Sequence, residues 1–309
     1  MNIVVLKFGG TSVADIPQIK NIALKIKLEV KKGNKVIVVV SAMSGVTNNL
    51  IDLVKNTSEI PPYSEYDTVI STGEQITSAL LAIALEKISI KARSWLGWQI
   101  PIFTDKTYGK SVIEKIKTDN ISKDLEVNQV AIVSGFQGVS SENRITTLGR
   151  GGSDTTAVAM AASFSAVRCD IYTDVDGVYT TDPRIVKSAK KLDIITYEEM
   201  LELASQGAKV LQARSVALAM KYGVNLRVLS SFEDLPGTSI VKEEKNMEKS
   251  EISGIAHSLN EAKITLHGVP DQPGQAADIF GTLAQQSINV DMIVQSSSCL
   301  LYTSDAADE

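Results

Sequence analysis

Residues 2–12, NIVVLKFGGTS, and residues 36–48, VIVVVSAMSGVTN, are built alike. In each, a run of β-branched and apolar residues stops abruptly at small, polar and glycine residues. A run that is apolar at every position is what a strand buried on both faces requires, and such strands belong to parallel sheets covered by helices. In the first stretch Asn2–Phe8 reads as the strand, and Gly9-Gly10 lets the backbone pass close to a ligand. Asp15 then suits the start of a helix with Pro17 in its first turn. Ile19, Ala23, Ile26 and Val30 recur at helical spacing, and Lys31-Lys32-Gly33 closes the run. Strand, helix and strand in immediate succession predict an α/β fold with a largely parallel sheet.

Working outward, helical patterns lie near Asn48–Lys55, Glu74–Lys87, Thr155–Ser163 and Tyr197–Gln206. Strand patterns lie at Ala92–Leu96, Val130–Val133, Ile171–Thr173 and Leu226–Leu229. The stretch KEEKNMEKSE, Lys242–Glu251, packs seven charges into ten residues, and Pro236-Gly237 lies just upstream. It predicts a charged linker over 242–254 that ends one domain, 1–241, and begins another. Past it, Ala262–Leu266 reads as a strand, Gly274–Gln286 as a helix and Ile288–Gln295 as a second strand. That order suits the first half of a ferredoxin-like domain.

The 309 residues hold 31 Lys+Arg against 36 Asp+Glu, a net charge of −5, which argues against a general nucleic-acid binder. Two cysteines, Cys169 and Cys299, exclude a disulfide scaffold and fit a reducing compartment. No run of apolar residues in the sequence is long enough to span a bilayer or to serve as a signal peptide, so a cytoplasmic location without membrane partners is expected. The two histidines are His257 and His267. Residues 1–256 therefore cannot build a Ser-His-Asp triad, a Cys-His dyad or a His-ligated metal site. Chemistry there must run on Lys, Arg, carboxylates, hydroxyls and backbone amides.

The loops after the strands carry such groups. Lys7 and the turn Phe8-Gly9-Gly10 offer a fixed cation and close backbone approach to an anion, although a tight turn with a surface lysine reads the same way. Ser41 and Thr47 follow the second strand, at the carboxyl end where open α/β sheets hold ligands. Glu74, in Ser71-Thr72-Gly73-Glu74, is either a ligand group or a carboxylate favoured by the helix dipole. Thr147-Leu148-Gly149-Arg150-Gly151-Gly152-Ser153-Asp154 resembles an oxyanion loop with a guanidinium clamp. It lacks the last glycine of a dinucleotide fingerprint and the Gly-Lys-Ser/Thr of a Walker loop. The stretch YTDVDGVYTTDPR, 172–184, is no EF-hand, because Val178 stands where an oxygen ligand is needed and no Glu falls at the twelfth position. It suits a nucleotide pocket, with acids for ribose or metal and Arg184 for phosphates; Lys209 is a weaker candidate. Cations, glycine amides, hydroxyls and acids without histidine match phosphoryl transfer.

KFGGTS, SAMSGVTN, STGEQ, TTLGRGGSDTTA and YTDVDGVYTTDPR, in this order, resemble the aspartate kinases of the amino-acid-kinase superfamily, over residues 2 to about 295. The resemblance implies an α/β, three-layer domain with a mostly parallel central sheet, followed by a partial ferredoxin-like ACT domain at 255–296. It implies phosphorylation of the L-aspartate side-chain carboxylate by ATP with Mg²⁺, giving 4-phospho-L-aspartate, the first step toward lysine, threonine and methionine. It assigns Lys7 to the transferring phosphoryl group and Asp154 to orienting lysines or metal. Ser41, Thr47, Glu74, Arg150, Gly151, Gly152 and Ser153 would hold aspartate, with Glu74 suited to its ammonium and Arg150 to a carboxylate. Lys7, Phe8, Gly9, Gly10, Thr173, Asp174, Tyr179, Thr180, Thr181, Asp182, Pro183, Arg184 and Lys209 would line the ATP site. The metal ligands stay open. Asp271, Pro273, Gly274, Gln275, Ala276, Asn289 and Gln295 would form the regulatory region, responding to lysine or threonine between paired ACT domains of a homodimer. Residues 297–309 depart from the family pattern and read as a foreign tail on a truncated chain, in which feedback inhibition is expected to be impaired. Another amino-acid kinase acting on a carboxylate or carbamate, or a silent amino-acid sensor, are the competing readings.

Overall fold

The two faces of the first strand explain the architecture. The computed structural model describes residues 2–208, 210–242, 254–256, 264–270, 272, 274–285, 290 and 293. The chain begins with β1 (Ile3–Phe8), α1 (Ile16–Lys31) and β2 (Lys35–Val40), then α2 (Val46–Thr57), α3 (Tyr63–Ile70) and α4 (Thr72–Lys87). Next come β3 (Ala92–Trp95), β4 (Ile102–Thr104), β5 (Ile113–Ile116), α5 (Asp119–Val127), β6 (Val130–Ser134), β7 (Gln137–Val139) and β8 (Ile145–Thr147). Then follow α6 (Gly152–Ser163), β9 (Arg168–Thr173), β10 (Val178–Tyr179), β11 (Lys191–Leu192), β12 (Ile194–Thr196), α7 (Tyr197–Ser205), α8 (Ala213–Tyr222), β13 (Leu226–Ser230), β14 (Thr238–Val241) and α9 (Gln275–Gln285).

Among the described residues an eight-stranded sheet runs β12-β14-β13-β9-β1-β2-β6-β3. Its pairs are parallel except β13 with β14, so the expected parallel α/β sheet is present. Side chains alternate across a strand. Val4, Leu6 and Phe8 pack on one face with Ile19, Ile22 and Ile26 of α1 and Leu81 and Leu85 of α4. Val5 packs on the other with Ala157, Val158 and Met160 of α6. Lys7 continues the Val5 side, toward α6, and this alternation is what turns a lysine in a buried strand toward the site. Helix α1 starts as its sequence indicates: the Asp15 side chain accepts a hydrogen bond of 2.8 Å from the Gln18 N–H.

The stretch Tyr63–Lys87 is long and apolar enough to cross a membrane by length and composition alone. It is two helices here, and Ile70, Leu81 and Leu85 are buried.

A second sheet, β5-β4-β7-β8, has no counterpart in the sequence reading. Its strands are three or four residues long, too short for alternation to register.

The chain divides into two compact units, Met1–Ser258 and Leu259–Glu309. In the second, the expected helix is present as α9. Of the two expected strands only 264–266, 290 and 293 are described, and these residues lie outside any strand. The remainder of those two segments, and residues 243–253 and 297–309, lie outside the described residues.

Candidate active site

The loops at the carboxyl ends of β1, β2 and β8 converge on a pocket of about 290 Å³. Lys7, Gly10, Ser41, Thr47, Glu74, Arg150, Gly151, Gly152, Ser153 and Asp154 all line it. The residues expected to hold aspartate are thus brought together from three separate stretches of sequence, beside Lys7 from a fourth.

Lys7 is 9% exposed, and its Nζ lies 2.6 Å from Asp154 Oδ1. Asp154 stands in the first turn of α6, where the helix dipole favours a carboxylate. The pair fixes a lysine at the pocket wall. The loop that leads into α6 depends on Gly151. Its φ is +71°, and a Cβ there would come within 1.9 Å of the Gln212 side chain. The turn leaves Arg150 exposed at the rim.

Glu74 reconciles its two readings. It is in the first turn of α4 and also lines the pocket. Its Oε1 accepts a 3.0 Å hydrogen bond from the Ala42 N–H. Among the described residues its buried Oε2 has no hydrogen-bond partner. Burial raises its carboxyl pKa to about 7, against the pull of the Ala42 amide. A buried oxygen with no donor, in a pocket, is suited to an ammonium group.

The residues expected around ATP do not line this pocket, Lys7 and Gly10 apart. Thr173 ends β9, and its hydroxyl donates to Asp174 Oδ1 at 3.0 Å. The Tyr179 hydroxyl donates to Asp176 Oδ1 at 2.9 Å. Arg184 pairs with Asp182 at 2.7 Å, so its charge is engaged locally. Thr180, Thr181 and Pro183 lie in the same segment after β9. The Gly9 N–H is bonded to the Tyr172 carbonyl at 3.3 Å, and the Phe8 ring stacks on Tyr172 at 4.7 Å. Gly9 therefore shapes the turn, and its own amide is not free for an anion. The turn from Gly10 to Ala14 also separates it from the start of α1.

Lys209, Asp271, Pro273, Asn289 and Gln295 lie outside the described residues. Gly274, Gln275 and Ala276 stand at the start of α9.

Ala42, Met43, Ser44, Gly45, Phe136 and Gly149 also line the pocket. All but Phe136 belong to the quoted loops. Phe136 adopts φ +69°, a left-handed conformation that a bulky residue rarely takes. Only Gly135 before it marks a close approach: a Cβ there would lie 2.8 Å from Ser153 Oγ.

A model of the amino acid kinase family matches residues 2–230, and an ACT domain model matches residues 264–303. An aspartate kinase from Stutzerimonas stutzeri is 54% identical over 296 residues, which are 96% of this chain and 72% of that protein. The crystal structure of aspartate kinase from Synechocystis is 42% identical, with a TM-score of 0.70 over 95% of this chain and 50% of that one. Aspartokinase III of E. coli, in complex with aspartate and ADP, matches with a TM-score of 0.78 at 28% identity, over 95% of this chain and 76% of that one. Its complex with lysine and aspartate has the same TM-score.

Proposed function

The chain belongs to the aspartate kinases of the amino acid kinase family, and from that premise we propose that its pocket carries the transfer of the ATP γ-phosphoryl group to the side-chain carboxylate of L-aspartate. The observation that carries this reading is the arrangement of charge. A buried Lys7–Asp154 pair, a buried unpartnered oxygen on Glu74 and an exposed Arg150 face one pocket. An aspartate molecule has one ammonium and two carboxylates. Glu74 takes the ammonium, Arg150 takes the carboxylate that does not react, and Lys7 faces the reacting centre.

The nucleophile needs no base. An aspartate side chain ionises near pH ~3.9 and is a carboxylate at neutral pH. The protein positions it and neutralises charge on the transferring group, which is the main work of phosphoryl-transfer sites. Lys7 does this at the pocket wall, and Asp154 fixes the lysine. Ser41, Thr47, Gly151, Gly152 and Ser153 shape the aspartate side of the pocket. Thr173, Asp174, Tyr179 and the segment to Arg184, with Lys209, hold the nucleotide.

Magnesium fits this donor set. Among the described residues no three His, Cys, Asp or Glu side chains converge as a metal cage. Mg²⁺ at phosphoryl-transfer sites is held largely by phosphate oxygens and water, with one or two carboxylates, and Asp154 is the carboxylate at hand. The ion would offset phosphate charge.

For the ACT-matched region we take lysine as the ligand, on the strength of the E. coli relative solved with lysine and aspartate. Gly274, Gln275 and Ala276 are its described candidates.

Hydroxylamine trapping tests the catalytic reading. With ATP, Mg²⁺ and L-aspartate the full chain should form aspartyl hydroxamate, and Lys7→Ala should reduce turnover by about 10²–10³-fold, the scale for removing one preorganised electrostatic group. Because Lys7→Ala also strands Asp154, the double variant with Asp154→Asn should recover stability and not activity. Recovery of activity in the double variant would remove Lys7 from the mechanism.

A further inference from the structure

We infer that Asp67 is a positioning residue for aspartate binding: from outside the pocket it fixes the strand end and the turn from which Arg150 is presented. The inference rests on the aspartate reading above.

Asp67 sits in α3 and is fully buried. Among the described residues no cation lies within ion-pair distance of it. Its carboxylate is satisfied by three donors. Oδ2 accepts from the Thr147 N–H at 2.7 Å and from the Gly109 N–H at 2.9 Å, and Oδ1 accepts from the Thr147 hydroxyl at 2.8 Å. Thr147 is the last residue of β8, three positions before Arg150. Gly109 belongs to the turn that packs beside it, and the Ser111 N–H donates to the Thr147 carbonyl at 2.9 Å. That turn also supports the Arg150 loop directly: a Cβ on Gly149 would lie 3.0 Å from the Gly109 carbonyl oxygen.

The opposite charge grips the same two segments from α8. Arg214 donates to the Leu148 carbonyl at 2.9 Å and to the Ser111 carbonyl at 2.8 Å. So a buried anion holds N–H groups at Thr147 and Gly109, and a half-buried cation holds carbonyls at Leu148 and Ser111. Neither side chain lines the pocket.

A buried carboxylate without a counter-cation is a costly device for joining a helix to a strand. An apolar contact would do that at less cost. What the carboxylate adds is direction, because both of its oxygens accept at once and lock two backbone segments in one register. Asparagine has one acceptor oxygen: turned toward the Thr147 and Gly109 N–H groups, it leaves an NH₂ where the Thr147 hydroxyl now donates, so that bond survives only with its direction reversed. Small displacements of a binding group cost rate and affinity steeply, and Arg150, which grips the carboxylate, is the group displaced here. Lys7, on β1, is not. The effect therefore falls on aspartate rather than on ATP.

The test is steady-state kinetics on the full chain with each substrate varied. In wild-type protein L-aspartate must first be turned over; absence of turnover would overturn the functional reading on which this inference stands. In Asp67→Asn the KM for L-aspartate should rise about tenfold or more, while the KM for ATP stays within about twofold. Arg214→Gln should show the same aspartate-specific shift, and Thr147→Val, which removes one hydroxyl bond, a smaller one. If Asp67→Asn does not fold, the latter two variants decide the matter by the same signature. Unchanged KM for aspartate, or equal rises in both KM values, would overturn the inference.

Discussion

Glu74 shows most clearly what burial does to a single residue. Its carboxyl pKa sits at about 7 instead of the ordinary 4.5 because burial disfavours the charge, and the backbone amides of Ala42 and of Glu74 itself do not compensate. A pKa raised in the folded state means that the neutral form is favoured there. The stability this group contributes is full below about 4.5 and is lost as pH rises to about 7. Binding runs the other way, because an ammonium needs the carboxylate. The KM for L-aspartate should therefore fall about tenfold between pH 6 and pH 8, with proton release on binding near neutrality. In Glu74→Gln this step should vanish and stability at pH 8 should rise relative to wild type; a pH-independent KM in wild-type protein would contradict the assignment. The sequence displayed Glu74 as a helix-start acid and as a ligand at once. Only the placement of Ala42 against it shows that one oxygen is spent and one is free. Phe136 was not legible at all, because a left-handed phenylalanine leaves no pattern in a single sequence.

At the scale of elements, the long apolar segments were readable because one physical cause set them. The uniform run of β2 and the helical spacing of α1 and α4 both follow from a sheet covered on two faces. Short strands failed for the opposite reason. The strands β4, β5, β7 and β8 have too few residues to show a period, yet β8 carries the loop that ends in Arg150. Helix α4 tests this layering directly. Leu81 is fully buried, whereas Ile83, two residues on, is 67% exposed. Leu81→Ala should lower the unfolding free energy by about 2–5 kcal/mol, with KM values unchanged. By contrast, Ile83→Ala should stay within about 0.5 kcal/mol in urea denaturation. Equal losses would mean that α4 packs with another face inward.

For the whole molecule, the first unit makes sense of a long stretch without histidine. A fold that gathers Lys7 of β1, Glu74 of α4, Arg150 after β8 and Asp154 of α6 at one pocket can neutralise and orient, and that pocket offers no imidazole as a base. That suits a substrate that arrives already ionised. Amino-acid-kinase membership was legible because its motifs fall at strand ends, where the fold exposes them. The segment 172–184, expected to hold the nucleotide, lies outside this pocket, and within that segment Arg184 bonds to Asp182. The central claim is that the substrate's own carboxylate oxygen attacks phosphorus. L-aspartate labelled with ¹⁸O in both side-chain carboxylate oxygens should be incubated with the full chain, ATP and Mg²⁺, the product cleaved with hydroxylamine, and the released phosphate analysed by mass spectrometry. The account predicts one ¹⁸O atom in each phosphate derived from the trapped product; unlabelled phosphate accompanying hydroxamate would contradict it.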